Sequence, residues 1–228
     1  MRARAAIRIR GIPALVLAAV LVAGGCSALS PGSGEASSPT TSATGSASEP
    51  PSAPASAPSG ESAADLEAAK KAADIADCPT RHPEPSKVDG GLPDVTLGCL
   101  GGGHRVPLAG LRGPMVINIW AQWCGPCRQE APHLAAVAKS AGDKVKFIGI
   151  DYDDPDPLAA IEYAGRAGWH YPQLKDRQKL IKPGLQILGP PQTLFVDADG
   201  RIAYRHNGPF TSNAELKKAI TDHLGVRW

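Results

Sequence analysis

The sequence predicts an α/β domain built on a mixed sheet. Three observations predict it. Two apolar, β-rich runs, Met115–Ala121 and Val145–Ile150, have the length and composition of buried strands. Each is followed by a stretch with helical signals, Gln129–Ser140 after the first and the residues from Asp156 after the second. Near the C-terminus two further strand-like runs, Thr193–Val196 and Ile202–Arg205, flank the turn Asp197-Ala198-Asp199-Gly200 and precede a last amphipathic stretch, Ala214–Leu224. Strand, helix, strand, helix, hairpin, helix is the order of an α/β fold in which parallel and antiparallel pairs share one sheet.

The elements follow in chain order. Residues 1–25 read as a signal peptide. Arg2, Arg4, Arg8 and Arg10 precede an apolar run over Ile12–Ala23, and small residues follow at Gly24 and Gly25. That run is shorter than the ~20 residues needed to span a bilayer. Ala23-Gly24-Gly25-Cys26 is similar to a bacterial lipobox, which makes Cys26 a lipidation candidate. An ordinary secretory signal with a chance cysteine, or an uncleaved anchor, is the alternative. Residues 26–62 are Ser, Pro, Ala, Gly and Thr with almost no large apolar side chain, too little to offset the entropy of ordering, so a disordered tether is expected. Residues 63–91 are expected to lead weakly ordered into the domain, with a helical tendency over Ala64–Asp77.

The domain itself is expected over 92–228. Val95–Leu97 and His104–Pro107 flank Gly101-Gly102-Gly103 and predict an N-terminal hairpin. Leu134, Val137 and Ala138 share one face of the helix predicted over Gln129–Ser140. Asp156-Pro157 pairs an N-cap with proline at the first helical position, and Gly168 ends that helix. Asp151, Asp153, Asp154 and Asp156, with Glu162 further on, resemble a calcium loop in composition. Pro155 and Asp156 break the required pattern, so a loop with a helix cap is expected.

Charge and cysteine content narrow the function. The 228 residues carry 24 basic and 22 acidic side chains. Loss of the segment before Cys26 removes four arginines and no acid, leaving a net charge of about −2. A near-neutral body without a basic stripe argues against nucleic acid. The six histidines show no metal spacing, and neither a metal nor an organic cofactor is expected. Five cysteines divide as one, two and two: Cys26 for lipid, the C-x-x-C pair Cys124 and Cys127, and Cys78 with Cys99 as a candidate structural disulfide of an exported protein.

The chemistry concentrates at Asn118-Ile119-Trp120-Ala121-Gln122-Trp123-Cys124-Gly125-Pro126-Cys127. A buried strand delivers Cys124 to a helix start, where unpaired N–H groups and the macrodipole favour a thiolate. Cys127, three residues on, lies on the same face one turn inward and can resolve a mixed disulfide. Gly125 and Pro126 suit the tight first turn. A zinc site would need about four ligands, and no second pair is present. Haem attachment would need His after Cys127, where Arg128 stands. A purely structural C-x-x-C is the remaining alternative.

This segment resembles the thioredoxin superfamily, and in detail its membrane-attached TlpA/ResA-like branch. Trp123-Cys124-Gly125-Pro126-Cys127 matches the thioredoxin motif, and Arg128-Gln129-Glu130-Ala131-Pro132 matches the branch's C-x-x-C-x-x-E-x-P extension. Gly189-Pro190-Pro191-Gln192-Thr193-Leu194-Phe195-Val196-Asp197 matches the segment carrying the cis-proline, one residue longer between Thr193 and Asp197 than its tightest form. The stretch between Asp151 and Asp176 is similar to the branch's central insertion. The resemblance covers Leu92 to the C-terminus and implies a thioredoxin-like fold with an N-terminal hairpin and that insertion.

It also implies roles. Pro191 would be the cis-proline facing the dithiol, and Trp123, Gly125, Pro126, Pro190 and Pro191 would contact substrate chain; a plain loop proline is the other reading of Pro191. Glu130 would exchange protons with the Cys127 thiol, against the reading of a solvated acid in the first turns of a helix. Asn118 stands where plain thioredoxins carry a buried Asp and cannot ionise. Pro190 has no N–H to pair with substrate. The implied activity is an extracytoplasmic thiol–disulfide oxidoreductase, acting as a monomer held by its lipid to the outer face of the cytoplasmic membrane. It would reduce disulfides in exported proteins, apocytochrome c among them, and be reset by a membrane dithiol donor. A disulfide oxidase for newly exported proteins and a non-catalytic binding lipoprotein are the rivals.

Overall fold

The computed structural model describes residues 62–80 and 87–228. The signal peptide, Cys26 and all of the tether but Ser62 therefore lie outside the described residues. Seven strands form one mixed sheet: β1 (Thr96–Cys99), β2 (Arg105–Pro107), β3 (Met115–Trp120), β4 (Lys146–Tyr152), β5 (Gln173–Asp176), β6 (Gln192–Val196) and β7 (Ile202–Asn207), in the order β2-β1-β5-β4-β3-β6-β7. β3 pairs parallel with β4, and β4 with β5; every other pair is antiparallel. β3, buried along its whole length, sits inside the sheet, as an uninterrupted apolar run should.

Among the described residues five α-helices accompany the sheet: α1 (Ala63–Ala72), α2 (Gly125–Ala141), α3 (Pro157–Arg166), α4 (Lys182–Leu185) and α5 (Asn213–Leu224). One core joins Leu134 and Val137 of α2, Ala160 and Ile161 of α3, and Leu216 and Ile220 of α5 to Val116, Trp120 and Phe195 of the sheet. A second core gathers Ile117, Ile119, Ile148, Ile150 and Leu194 with Leu108, Ile181 and Leu185. Alternate residues of β3 and β4 thus serve opposite cores, the two-residue period of a strand buried on both sides.

The hairpin, central strands and long helices stand where the sequence puts them, and this is a thioredoxin-like mixed α/β fold with an N-terminal hairpin and a central insertion. The insertion adds an element that the sequence hides. β5 reads Gln173-Leu174-Lys175-Asp176 yet joins β4 to β1, because buried Gln173 is satisfied by accepting from Trp120 Nε1 and donating to the Tyr171 carbonyl. The stretch 63–91 contributes more than a lead-in: α1 starts with a capping box from Ser62 and Asp65. Leu66 and Ala69 pack against the first core, which includes buried Ile75. A disulfide joins Cys78 to Cys99 at the end of β1.

Candidate active site

The sheet's own geometry assembles the site. β3 and β6 run antiparallel with Ile119 opposite Gln192, so the end of β3 that leads to Cys124 lies beside the start of β6, where Pro191 sits. The chain leaves β3 through Ala121–Trp123 and enters α2 with Cys124 as its N-cap and Gly125 and Pro126 in the first turn. Cys124 Sγ accepts the Cys127 N–H at 3.1 Å, one of the orphan donors of the helix start. Cys124 and Cys127 form a disulfide in which Cys124 retains 3% exposure and Cys127 none.

Acids of the insertion pin the loop before the dithiol. Asp154 Oδ2 accepts the Gln122 N–H at 3.0 Å while its Oδ1 accepts the Asp156 N–H at 3.1 Å. Trp123, 48% exposed, donates its indole N–H to the Asp153 carbonyl at 3.2 Å. Arg128 donates to the Gln122 carbonyl at 2.8 Å. Asp156 caps α3 as expected, through the Ala159 N–H. Asp151 is buried beside Asp154 with Oδ1 unpartnered. Burial first, then the Asp154 charge and hydrogen bond, push its carboxyl up to about 9. Among the described residues no group of three or more His, Cys, Asp or Glu is arranged to hold a metal.

Glu130 is not a solvated helix acid. It is wholly buried, with Oε1 accepting from Asn118 Nδ2 at 2.8 Å and Oε2 accepting the Phe210 N–H at 3.1 Å. Burial raises its carboxyl to about 7, against the pull of those two donors. Asn118 also reaches Thr193 Oγ1 at 3.4 Å, its partner across β3 and β6, and its Oδ1 has no partner. Asn118 therefore serves as the donor that holds Glu130. Nothing in the sequence signals Phe210, whose backbone N–H arrives from the loop before α5. The Asp153-Asp154 pair is visible in sequence but reads there only as loop.

The Pro190–Pro191 peptide is cis, with Pro191 buried and Pro190 half-buried. The Pro191 carbonyl accepts the Gly208 N–H at 3.1 Å, which ties this loop to the end of β7. Trp123 before α2, Gly125 and Pro126 in its first turn, and Pro190 and Pro191 before β6 thus lie at the same end of the paired strands β3 and β6. Cys78 and Cys99 are paired elsewhere, at β1.

Comparison with known proteins agrees with this architecture. The Redoxin family model matches residues 87–221. The thiol:disulfide interchange protein DsbE of Haemophilus influenzae is 35% identical over 113 residues, 49% of this chain and 61% of that protein. HelX of Rhodobacter capsulatus, also named a thiol:disulfide interchange protein, is 34% identical over 130 residues, 55% of this chain and 71% of its own length. The chain spans only 54–62% of the first curated relatives it matches. Among solved structures, MTB DsbF superposes with a TM-score of 0.51 at 29% identity, covering 57% of this chain and 98% of that one. A secreted Mycobacterium tuberculosis disulfide oxidoreductase homologous to E. coli DsbE gives 0.51 at 26%, covering 57% and 96%. With more than half of its length matched by the family model, the chain belongs to the Redoxin family, as a thioredoxin-superfamily protein of the TlpA/ResA type.

Proposed function

We propose that the chain is an extracytoplasmic thiol–disulfide oxidoreductase that reduces disulfides in exported proteins through Cys124 and Cys127. The observation that carries this is the pair's placement: Cys124 caps α2 and accepts the Cys127 N–H, while Cys127 is sealed inside over a helix that also bears buried Glu130. The names of the interchange relatives support the reaction class.

The chemistry follows from the placement. In the reduced protein the positive end of the 17-residue α2 and the Cys127 N–H favour the Cys124 thiolate. That thiolate attacks one sulfur of a substrate disulfide, and the other sulfur leaves as a thiolate and takes a proton. Cys127 then loses its proton and attacks Cys124 Sγ, which releases the second substrate thiol and closes the Cys124–Cys127 bond. Glu130, with a carboxyl poised at about 7, is the base for that second proton. Trp123, Gly125, Pro126, Pro190 and Pro191 would border the bound polypeptide. Residues 1–25 would direct export, Cys26 would carry the lipid, and the tether would let the domain reach substrates away from the bilayer. Among the described residues no helix is long and apolar enough to cross a membrane. Apocytochrome c is the substrate class that the resemblance suggests, with a membrane dithiol carrier as donor.

Trapping tests the assignment. Cys127→Ala should accumulate mixed disulfides through Cys124, and Cys124→Ala should accumulate none. Equal trapping by the two variants, or none by either, would overturn it.

A further inference from the structure

A buried lysine lies against the other disulfide. Lys70 turns inward from α1 with only 5% exposure, and its Nζ donates to Asp77 Oδ1 at 2.6 Å and reaches Cys99 Sγ at 3.6 Å. Three donors on one ammonium allow both contacts. Glycine makes the approach possible: a Cβ at Gly101 would stand 2.6 Å from Lys70 Cβ. Gly103 leaves a gap on the same side, since a Cβ there would lie 3.9 Å from Cys99 Sγ and 4.0 Å from Lys70 Nζ. Lys70, Lys71, Asp77 and Gly101–Gly103 wall a cavity of about 430 Å³ at this point. The other sulfur, Cys78 Sγ, faces the Gln173 carbonyl at 3.4 Å.

A disulfide sulfur has no proton to give to a carbonyl and no charge for an ammonium to neutralise. The reduced pair has uses for both neighbours. A Cys99 thiolate would pair with Lys70, and a Cys78 thiol would donate to Gln173. Each neighbour has another partner in the oxidised protein, Asp77 for Lys70 and the Leu100 N–H for the Gln173 carbonyl, and each keeps the capacity for the further contact that the dithiol form would make.

We propose that Cys78–Cys99 is a second redox-active pair, opened by a dithiol that enters through the cavity beside Lys70. The dithiol's thiolate attacks Cys99 Sγ, the Cys78–Cys99 bond breaks, and Cys78 leaves, takes a proton and keeps it as a thiol hydrogen-bonded to the Gln173 carbonyl. The reductant's second thiol loses its proton and attacks its own sulfur in the mixed disulfide. The reductant departs as a disulfide and Cys99 remains as a thiolate beside Lys70. Two electrons pass to the pair. The two protons leave the reductant, one going to Cys78 and one to solvent. The process is independent of the exchange at Cys124.

The test uses the full chain with Cys26→Ser, Cys124→Ser and Cys127→Ser, so that only this pair reports. Samples equilibrated at graded ratios of reduced to oxidised dithiothreitol are alkylated and weighed, with far-UV circular dichroism read in parallel. The pair should open in one two-electron transition while the dichroism stays native. Lys70→Met should need about tenfold more reduced dithiothreitol, the scale of one lost charge-assisted contact, and Lys70→Arg should restore most of that shift. If Lys70→Met does not fold, the first measurement decides alone. Opening only together with unfolding, or a folded Lys70→Met that titrates like its parent, would overturn the proposal.

Discussion

At the scale of single residues, Glu130 departs furthest from what its type leads one to expect. A glutamate in the second turn of a helix is ordinarily solvated, but here both oxygens are buried on fixed donors and the carboxyl sits at about 7. Near neutral pH it is divided between acid and base, the condition under which a group can take a proton from Cys127 and return it. Glu130→Gln should slow closure of the mixed disulfide by about a hundredfold or more, on the scale of roughly 10²–10⁴ for general base catalysis. It should also abolish the rise in rate through about pH 7 expected of the parent protein. Below about pH 5, where Glu130 is protonated, stability should change little, because the unpartnered Oδ1 of Asn118 can accept from the new amide if the Asn118 side chain turns over, leaving the glutamine oxygen for Phe210. Stopped-flow thiol reactivity against pH decides this, and superimposable profiles would remove Glu130 from the chemistry. The C-x-x-C pair is legible in sequence from its pattern at a strand-to-helix junction, whereas Glu130 and the proline loop are legible through the resemblance to the thioredoxin superfamily. Phe210 is not, since its contribution is a main-chain N–H that any residue supplies.

At the scale of elements, the same division holds. β3, β4 and β6 announce themselves by apolar runs, and α3 by Asp156-Pro157. β5 is hidden because its stability comes from pairing on both sides and from the Gln173–Trp120 hydrogen bond, neither of which has a local pattern. α4, four residues containing Pro183 and Gly184, has no periodicity to detect. The docking of α1 is half-visible. Gly101-Gly102-Gly103 reads as a hairpin turn, whereas Gly101 also marks the close approach of a helix. Two substitutions separate these meanings. Gly101 and Gly102 both hold positive φ, at 76° and 94°, so alanine at either is strained, by about 1–2 kcal/mol. Only at Gly101 does the new Cβ also meet Lys70 Cβ at 2.6 Å and the Leu66 carbonyl at 3.0 Å, whereas nothing lies within 4 Å at Gly102. Gly101→Ala should therefore lose roughly 1–3 kcal/mol more than Gly102→Ala in urea unfolding of the oxidised protein. Equal losses would mean that α1 is free to move away.

For the whole molecule, two buried acids set an unusual pH dependence. Glu130 rises from 4.5 to about 7 and Asp151 from 3.8 to about 9, in both cases chiefly through burial. A carboxyl whose folded pKa lies above its unfolded value binds more protons in the native state between the two values. Stability then falls as pH rises through that interval, the reverse of a salt-bridged carboxylate. For Glu130 the fall runs from about 4.5 to about 7, and for Asp151 it continues to about 9. Asp65, held low by the Ser62 hydroxyl, and Glu215, held low by the Thr211 N–H, act in the opposite sense, but they are exposed and lose their effect only below about pH 4. The melting temperature of the oxidised protein should thus be highest near pH 4 and fall by at least about 10 °C by pH 9, since each pKa unit is worth about 1.4 kcal/mol and each kcal/mol about 2–4 °C in a domain of this size. Calorimetry of two variants divides the descent. Glu130→Gln should flatten it up to about pH 7 and leave the upper part, while Asp151→Asn should flatten the part that reaches about 9. The Asp151 side chain interacts with Asp154, and its carboxyl is already protonated at pH 7, so Asp151→Asn should keep native Cys124 reactivity there. A melting temperature that rises from pH 5 to 8 would mean that both carboxylates find compensation in the folded protein, and would remove the basis for a neutral-pH proton exchange at Glu130.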